Sequence, residues 1–192
     1  YPLRRQRQMC IRDRKCSVYA AQYLLEGLFE NEEDTRAMAL ITAANDRSWR
    51  HMVESGTTIT WEAWDQKYKP NQDWNHAWGA APANLLPRYV VGVQPLLPGW
   101  SKVRIRPHLS GLSSASGKVP TPRGAILLHW KNDAAFRCDV VLPSGVNAQL
   151  ELPASESSKG VFLNNRPVAA QRVDSRWIVR EVVSGSFQCE VR

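Results

Sequence analysis

The chain has 192 residues, 43% of them hydrophobic and 22% charged, an ordinary globular composition with enough length for a real core. No apolar run approaches the ~20 residues that a membrane helix needs, so no segment is expected to span a bilayer. The net charge of +7 points toward nucleic acid only until it is located: residues 1–15 hold six cations against Asp13, a net of +5, which leaves +2 for the remainder.

The opening segment, YPLRRQRQMCIRDRK, has neither helical nor strand periodicity and no methionine at position 1. Its MCIRDR stretch resembles translated adapter read-through, so residues 1–16 are expected to be a non-native or disordered segment and are kept out of the fold. A basic arm for phosphate is the competing reading. Setting the segment aside removes most of the case for a nucleic-acid partner.

From Val18 the pattern is helical. Ala21, Leu24, Leu25 and Leu28 repeat at the spacing of one helix face, and so do Ala37, Leu40, Ile41 and Ala44. Asp34 or Thr35 can cap the second helix and Asn45-Asp46 can end it. Trp49, Met52 and Val53 begin a short third helix that stops at Ser55-Gly56. Residues 74–91 read as a further helix, with Pro82 in its first turn and Pro87 interrupting it.

Past Pro98-Gly99 the period becomes two. Val103 and Ile105 alternate with charged residues, as do Phe136, Cys138 and Val140, then Ala148, Leu150 and Leu152. Further strands are expected at 125–130, 160–163, 177–182 and 187–191, divided by Asn132-Asp133, Pro143-Ser144-Gly145, Asn164-Asn165 and Ser184-Gly185. Seven or eight such strands predict an antiparallel β-sandwich. Helices first and strands after, without interleaving, predict an α+β chain in two segregated parts meeting near Gly99: residues 17–97 and 98–192. Residues 100–192 can close a core unaided, whereas the stripes of 17–92 need more helices than they have.

The four cysteines, at 10, 16, 138 and 189, lack metal-ligand spacing. Cys138 and Cys189 fall on apolar phases of strands and read as buried thiols, with a disulfide as the alternative in an oxidising compartment.

Chemistry concentrates in TTITWEAWDQKYKPNQDWNHAWG, residues 57–79, and six of the eight tryptophans fall between positions 49 and 100. Glu62 lies between Trp61 and Trp64, with Asp65 three positions on. Flanking indoles lower the local polarity and would raise a carboxyl pKa, which suits proton transfer near neutral pH. The alternative is a glutamate paired with a nearby cation such as Lys67. His76 could bind a hydroxyl or hold a carboxylate, or be structural. Indole faces stack on the C–H faces of pyranose rings, and Asn71, Gln72, Asp73 and Asn75 add hydrogen-bonding groups. The residues alone describe a carbohydrate site with one good carboxylate. No phosphate loop, GxGxxG, HExxH or nucleophile elbow competes with it.

The runs GTTITWEAWD (56–65), NHAWGAAPANLLPRYVVGVQPLLPGW (75–100) and VRIRPHLSGLSSASGKVPTPRGAILLHW (103–130) resemble the C-terminal part of the bacterial α-L-rhamnosidases of glycoside hydrolase family 78. The resemblance covers roughly residues 17–192. It implies the last helices of a catalytic (α/α)6 barrel followed by a C-terminal β-sandwich, and an inverting hydrolysis of terminal α-L-rhamnose with two opposed carboxylates. The glutamate of the WExW motif, the general base, corresponds to Glu62. His76 corresponds to the rhamnose-contacting histidine, and Trp61, Trp64, Trp74 and Asp65 are the accompanying candidates for substrate binding. The family's acidic upstream motif, which supplies the general acid, has no match here, so the chain is expected to be a fragment inactive alone. The loop between Glu62 and His76 is shorter than in many members. No metal or organic cofactor is implied and the partner is a rhamnose-containing glycan or glycoside; the compartment stays open, with a periplasmic or secreted location favoured over a cytoplasmic one. Two other classes stay open: a non-catalytic carbohydrate-binding module with a tryptophan platform, and a structural sandwich whose tryptophans seal a seam.

Overall fold

The computed structural model describes residues 16–182 and 184–192. The basic segment 1–15, and Cys10 with it, lies outside the described residues. The described residues divide into two compact units, one up to Leu85 and one from Leu86 onward.

The first unit is helical. Helix α1 (Val18–Glu30) starts where the Ser17 hydroxyl accepts the Ala20 N–H at 3.2 Å, satisfying one of the donors a helix start leaves open. It buries Val18, Ala21, Leu25, Leu28 and Phe29 along one stripe. Helix α2 (Asp34–Ile41) buries Ala37 and Ile41 but closes before Ala44, which stays exposed. Thr42 ends it, because its hydroxyl takes the Met38 carbonyl at 2.8 Å and competes with continued helix. Neither Asp34 nor Thr35 caps this helix: the N-cap is Glu33, with no side-chain bond. Helix α3 (Trp49–Glu54) is capped by Ser48, whose hydroxyl accepts the His51 N–H at 2.9 Å, and it is followed by Gly56 in a left-handed conformation.

The single helix read over 74–91 is three short pieces: a 3-10 turn at Ala77–Gly79, helix α4 (Ala81–Leu85) and a π-helical segment at Leu86–Val91. Pro87 explains the break. It has no N–H to give to a preceding carbonyl, and the ladder widens so that the Gly92 N–H closes onto the Pro87 carbonyl at 3.1 Å.

The second unit is a β-sandwich with eleven strands among the described residues. They are β1 (Val93–Pro95), β2 (Lys102–Ile105), β3 (Ser114–Thr121), β4 (Gly124–Asn132), β5 (Phe136–Leu142), β6 (Asn147–Pro153), β7 (Val161–Leu163), β8 (Arg166–Val168), β9 (Gln171–Val173), β10 (Arg176–Val182) and β11 (Gly185–Val191). One sheet runs β1-β2-β6-β10-β9 and the other β3-β4-β5-β11-β7-β8. β1 pairs with β2 upstream of the Pro98-Gly99 turn, so the sandwich takes in residues before the change of period. Every pairing is antiparallel except β2 with β6, which is parallel. The sequence period cannot reveal that pairing, because alternation reports which face is buried and not the direction of a neighbour.

Alternate residues of β4, β5, β6 and β11 fill the core, with Ile126, Leu128, Trp130, Val140, Leu150 and Leu152 all buried. Trp130 has no exposed surface, and its indole N–H reaches the Val90 carbonyl at 2.8 Å, anchoring the π-helical segment. Cys138 and Cys189 face each other in register across β5 and β11, both buried and both free thiols. The Cys189 neighbour and burial push the Cys138 thiol well up, so it stays protonated and unreactive.

Gly92 has φ 88°, and a Cβ there would meet the Arg106–Pro107 peptide. Gly92→Ala should therefore cost roughly 2–4 kcal/mol, combining left-handed strain with overpacking against rigid backbone. Chemical denaturation checks this; a midpoint equal to that of the parent chain would contradict it.

Candidate active site

Residues 57–76 fold back on themselves with no regular strand. The His76 N–H donates to the Thr60 carbonyl at 2.8 Å, the Thr60 hydroxyl donates to the His76 carbonyl at 2.8 Å, and the Glu62 N–H donates to the Asp73 carbonyl at 3.0 Å. Between these two arms the chain turns through successive short bonds: Tyr68 N–H to Asp65, Lys69 N–H to Gln66, and Gln72 N–H to Lys69. The Gln72 side chain, 5% exposed, accepts the Ala63 N–H at 3.1 Å and seals the inside of the loop.

This strap fixes Glu62 at both carboxylate oxygens. Oε1 is ion-paired to the Lys69 ammonium and Oε2 accepts the Asp73 N–H at 3.1 Å. Both contacts favour the charged form. The Lys69 hydrogen bond, then the Asp73 N–H, hold the Glu62 carboxyl below its ordinary range. That reverses the expectation that neighbouring indoles would raise it. Trp61 and Trp64 are buried at 6% and 2% exposure, packed into the unit, and Glu62 sits on the wetter side of the same segment. The cation alternative also names a different lysine: Lys67 pairs with Asp46.

Glu62 opens into a cleft of ≈ 450 Å³ whose walls include Tyr19, Arg47, Trp64, Tyr68 and Lys69. Among the four nearby indoles, Trp64 alone lines it. His76 does not line it and is linked to it through Tyr19, whose hydroxyl lies 3.0 Å from His76 Nε2. The other ring nitrogen, Nδ1, is 3.7 Å from the Asp73 carboxylate. Burial, followed by the Glu62 charge, pushes the Tyr19 hydroxyl up, so it remains a proton-bearing group across neutral pH.

The tryptophans divide into scaffold and surface. Trp64 stands edge-on to Trp49 at 4.9 Å and donates to the Cys16 carbonyl at 2.9 Å. Trp61 stands edge-on to Trp74 at 4.8 Å and donates to the Thr57 hydroxyl at 3.0 Å. Trp49 ties helix α3 to the Gly79 carbonyl at 2.6 Å. Trp74 and Trp78 remain 49% and 78% exposed, the latter beside both His76 and Tyr19. Asp65 turns away from the Glu62 contacts: it takes His51 Nε2 at 2.7 Å and the Lys67 N–H at 3.0 Å.

Lys69 and Tyr19 are the residues that sequence reasoning passed over. Lys69 follows Glu62 by seven positions in a loop, and Tyr19 lies on α1 more than forty residues away, so neither has a local spacing that betrays it.

The helical unit thus holds a charged carboxylate, Glu62, at a cleft walled in part by Trp64, and a β-sandwich follows it in sequence. The model for the bacterial α-L-rhamnosidase six-hairpin glycosidase domain matches residues 13–90, and that for the bacterial α-L-rhamnosidase C-terminal domain matches residues 92–165. The chain belongs to the bacterial α-L-rhamnosidase family. An α-L-rhamnosidase of Alteromonas sp. (strain LOR) is 32% identical over 119 residues, 57% of this chain and 13% of the relative. One of Streptomyces avermitilis is 25% identical over 154 residues, 75% of this chain and 15% of the relative. The chain thus spans about one seventh of the length of these curated relatives. Among solved structures, an α-L-rhamnosidase from Dictyoglumus thermophilum superposes with a TM-score of 0.80 at 22% identity, covering 91% of this chain and 21% of that one. The Streptomyces avermitilis α-L-rhamnosidase complexed with L-rhamnose gives 0.78 at 22%, covering 90% and 17%. These likenesses establish the fold.

The ion pair gives a direct test of the site's electrostatics. Because the folded-state pKa of Glu62 is depressed, its carboxylate should persist as pH falls below the ordinary glutamate range. Lys69→Met removes the largest cause and should move the titration upward toward that range. Carbon-detected NMR of the Glu62 carboxyl in the 192-residue chain measures it; an unchanged midpoint would remove Lys69 from the account.

Proposed function

We propose that this chain carries the base side of the active site of an inverting α-L-rhamnosidase, with Glu62 as the general base. The observation that carries the reading is the fixed, charged Glu62 carboxylate at the mouth of the cleft. An inverting glycosidase needs a base that is ionised before the reaction and aimed at a water, and Lys69 with the Asp73 N–H meets both needs. Each carboxylate oxygen already accepts one donor and keeps capacity for another, which the attacking water would use. Glu62 takes a proton from that water as its oxygen attacks the anomeric carbon. The leaving oxygen is protonated by a second carboxyl roughly 6.5–9.5 Å away across the scissile bond, supplied by a part of the enzyme outside residues 1–192. The chain in that reading is a fragment, and its substrate is a glycan or glycoside ending in α-L-rhamnose.

His76 holds a sugar hydroxyl in this scheme, with Tyr19 setting its orientation through Nε2. Trp74 and Trp78 offer the exposed indole surface for the C–H face of the ring. Trp61 and Asp65 are assigned to the scaffold, since their polar groups are spent inside the unit, while Trp64 forms part of the cleft wall.

The chain alone should therefore leave an aryl α-L-rhamnoside intact. In the parent enzyme, Glu62→Gln should lower kcat by about 10²–10⁴-fold, the range for removing a positioned proton-transfer group, with KM nearly unchanged. His76→Ala should raise KM at least as much as it lowers kcat. Steady-state kinetics beside a circular-dichroism control measure all three. Full kcat in a folded Glu62→Gln enzyme would eliminate Glu62 as the base and favour a sugar-binding module.

A further inference from the structure

A hollow of ≈ 660 Å³ lies on the outer face of the six-stranded sheet, within the sandwich unit. Its floor is built by strand register. One cross-strand row sets Ser116, His129, Asp139 and Gln188 side by side over β3, β4, β5 and β11. The next row toward the β4–β5 apolar pair sets Lys118, Leu127, Val141 and Ser186 in line. Leu127 and Val141 stay 42% and 38% exposed, so a small apolar ridge lies beside a row of hydrogen-bonding groups. At the end of the first row Asn164 accepts the Gln188 N–H at 2.9 Å through its side-chain oxygen, which leaves the amide's two N–H donors as its remaining polar group.

The composition of this hollow discriminates among ligands. The lining holds one lysine, Lys118, and one carboxylate, Asp139, the latter 4.0 Å from His129, so the floor has no excess of either charge. A phosphate-rich or polyacidic ligand needs a basic patch, which is missing here. A protein partner needs aromatic or arginine anchors over a much larger area. What the floor matches is a small, neutral ligand with hydroxyls at its edge and one apolar face. That is the chemistry of a neutral sugar ring, and a cavity of this size is in the range that holds one.

We propose that the outer face of β3-β4-β5-β11 is a second saccharide-binding site, which holds a neutral glycan unit with its C–H face on Leu127 and Val141 and its hydroxyls on Asp139, Gln188 and Asn164. The choice of a rhamnosyl probe rests on the proposed function; the site itself does not. It gives the sandwich a task of its own, retaining glycan by a contact separate from the one that is cleaved.

The test titrates the isotope-labelled 192-residue chain with α-L-rhamnosyl-(1→6)-D-glucose, following backbone amides. Shifts should cluster at Ser116, Leu127, Asp139, Val141 and Gln188, with a dissociation constant on the order of 1 mM. Asp139→Ala and Gln188→Ala should each weaken binding about fivefold, as for loss of one hydrogen bond, and Val141→Arg should abolish it by filling the floor. All three positions are exposed, so unchanged melting temperatures confirm that the variants fold. In Glu62→Gln the strand shifts should persist. Shifts confined to the Glu62 cleft would overturn this proposal and leave the active-site reading standing. Strand shifts with a fully active Glu62→Gln parent would uphold it and sink the other. A concentration-dependent dimer that protects these amides would also overturn it, by putting a second copy on this face.

Discussion

Two backbone hydrogen bonds, Glu62 N–H to Asp73 and His76 N–H to Thr60, decide what the helical unit can do. They bring the two arms of a turn-rich loop together without a regular ladder. The same contact line then serves three ends. It puts Asp73 N–H on the Glu62 carboxylate, it carries Lys69 round to the other oxygen, and it presents the His76 ring to Tyr19. Once these bonds are made, the buried indoles follow as supports. Trp61 and Trp64 are buried, and Glu62, which follows Trp61, keeps its carboxylate at the cleft.

The electrostatics of the cleft reward being ionised over being a strong base. A glutamate buried among indoles would bind a proton more tightly but would hold it at neutral pH, which is the behaviour of an acid. The Lys69 contact lowers the carboxylate's affinity for a proton and keeps it ionised. Two neighbouring carboxyls repeat the principle at lower stakes: Asp46, bonded by Lys67 and Tyr68, and Asp65, bonded by the Lys67 N–H and by His51, are both held below their ordinary range, so the unit loses stability as acid titrates them through their depressed folded-state values.

Helices followed by strands were legible from period alone, as were the core phases of β4, β5, β6 and β11, because burial on one face leaves a pattern in sequence. What escaped has a common cause. β3 reads SASGKVPT, small and polar with a proline, and β8 and β9 are three residues each, so none carries enough apolar alternation to register. The helix expected over 74–91 failed at Pro87, whose missing N–H was recognised as an interruption but not as the seed of a π-helical turn. In the site, Glu62 was legible through its motif and its partners were not. Lys69 and Tyr19 meet it through the fold, and whether an indole lines a cleft or props it up depends on which way an irregular loop turns its side chains.

The strand order leaves four open margins, β1 and β9 on one sheet and β3 and β8 on the other. Three of these strands carry a proline, Pro95, Pro120 and Pro167, and the fourth is a three-residue strand with every residue exposed. Each proline withdraws an N–H from the row that a foreign strand would have to pair with, and a strand so short offers little to grip. The sandwich can thus form during synthesis without its borders recruiting neighbouring chains. Its most conspicuous irregularities are what keep it to itself.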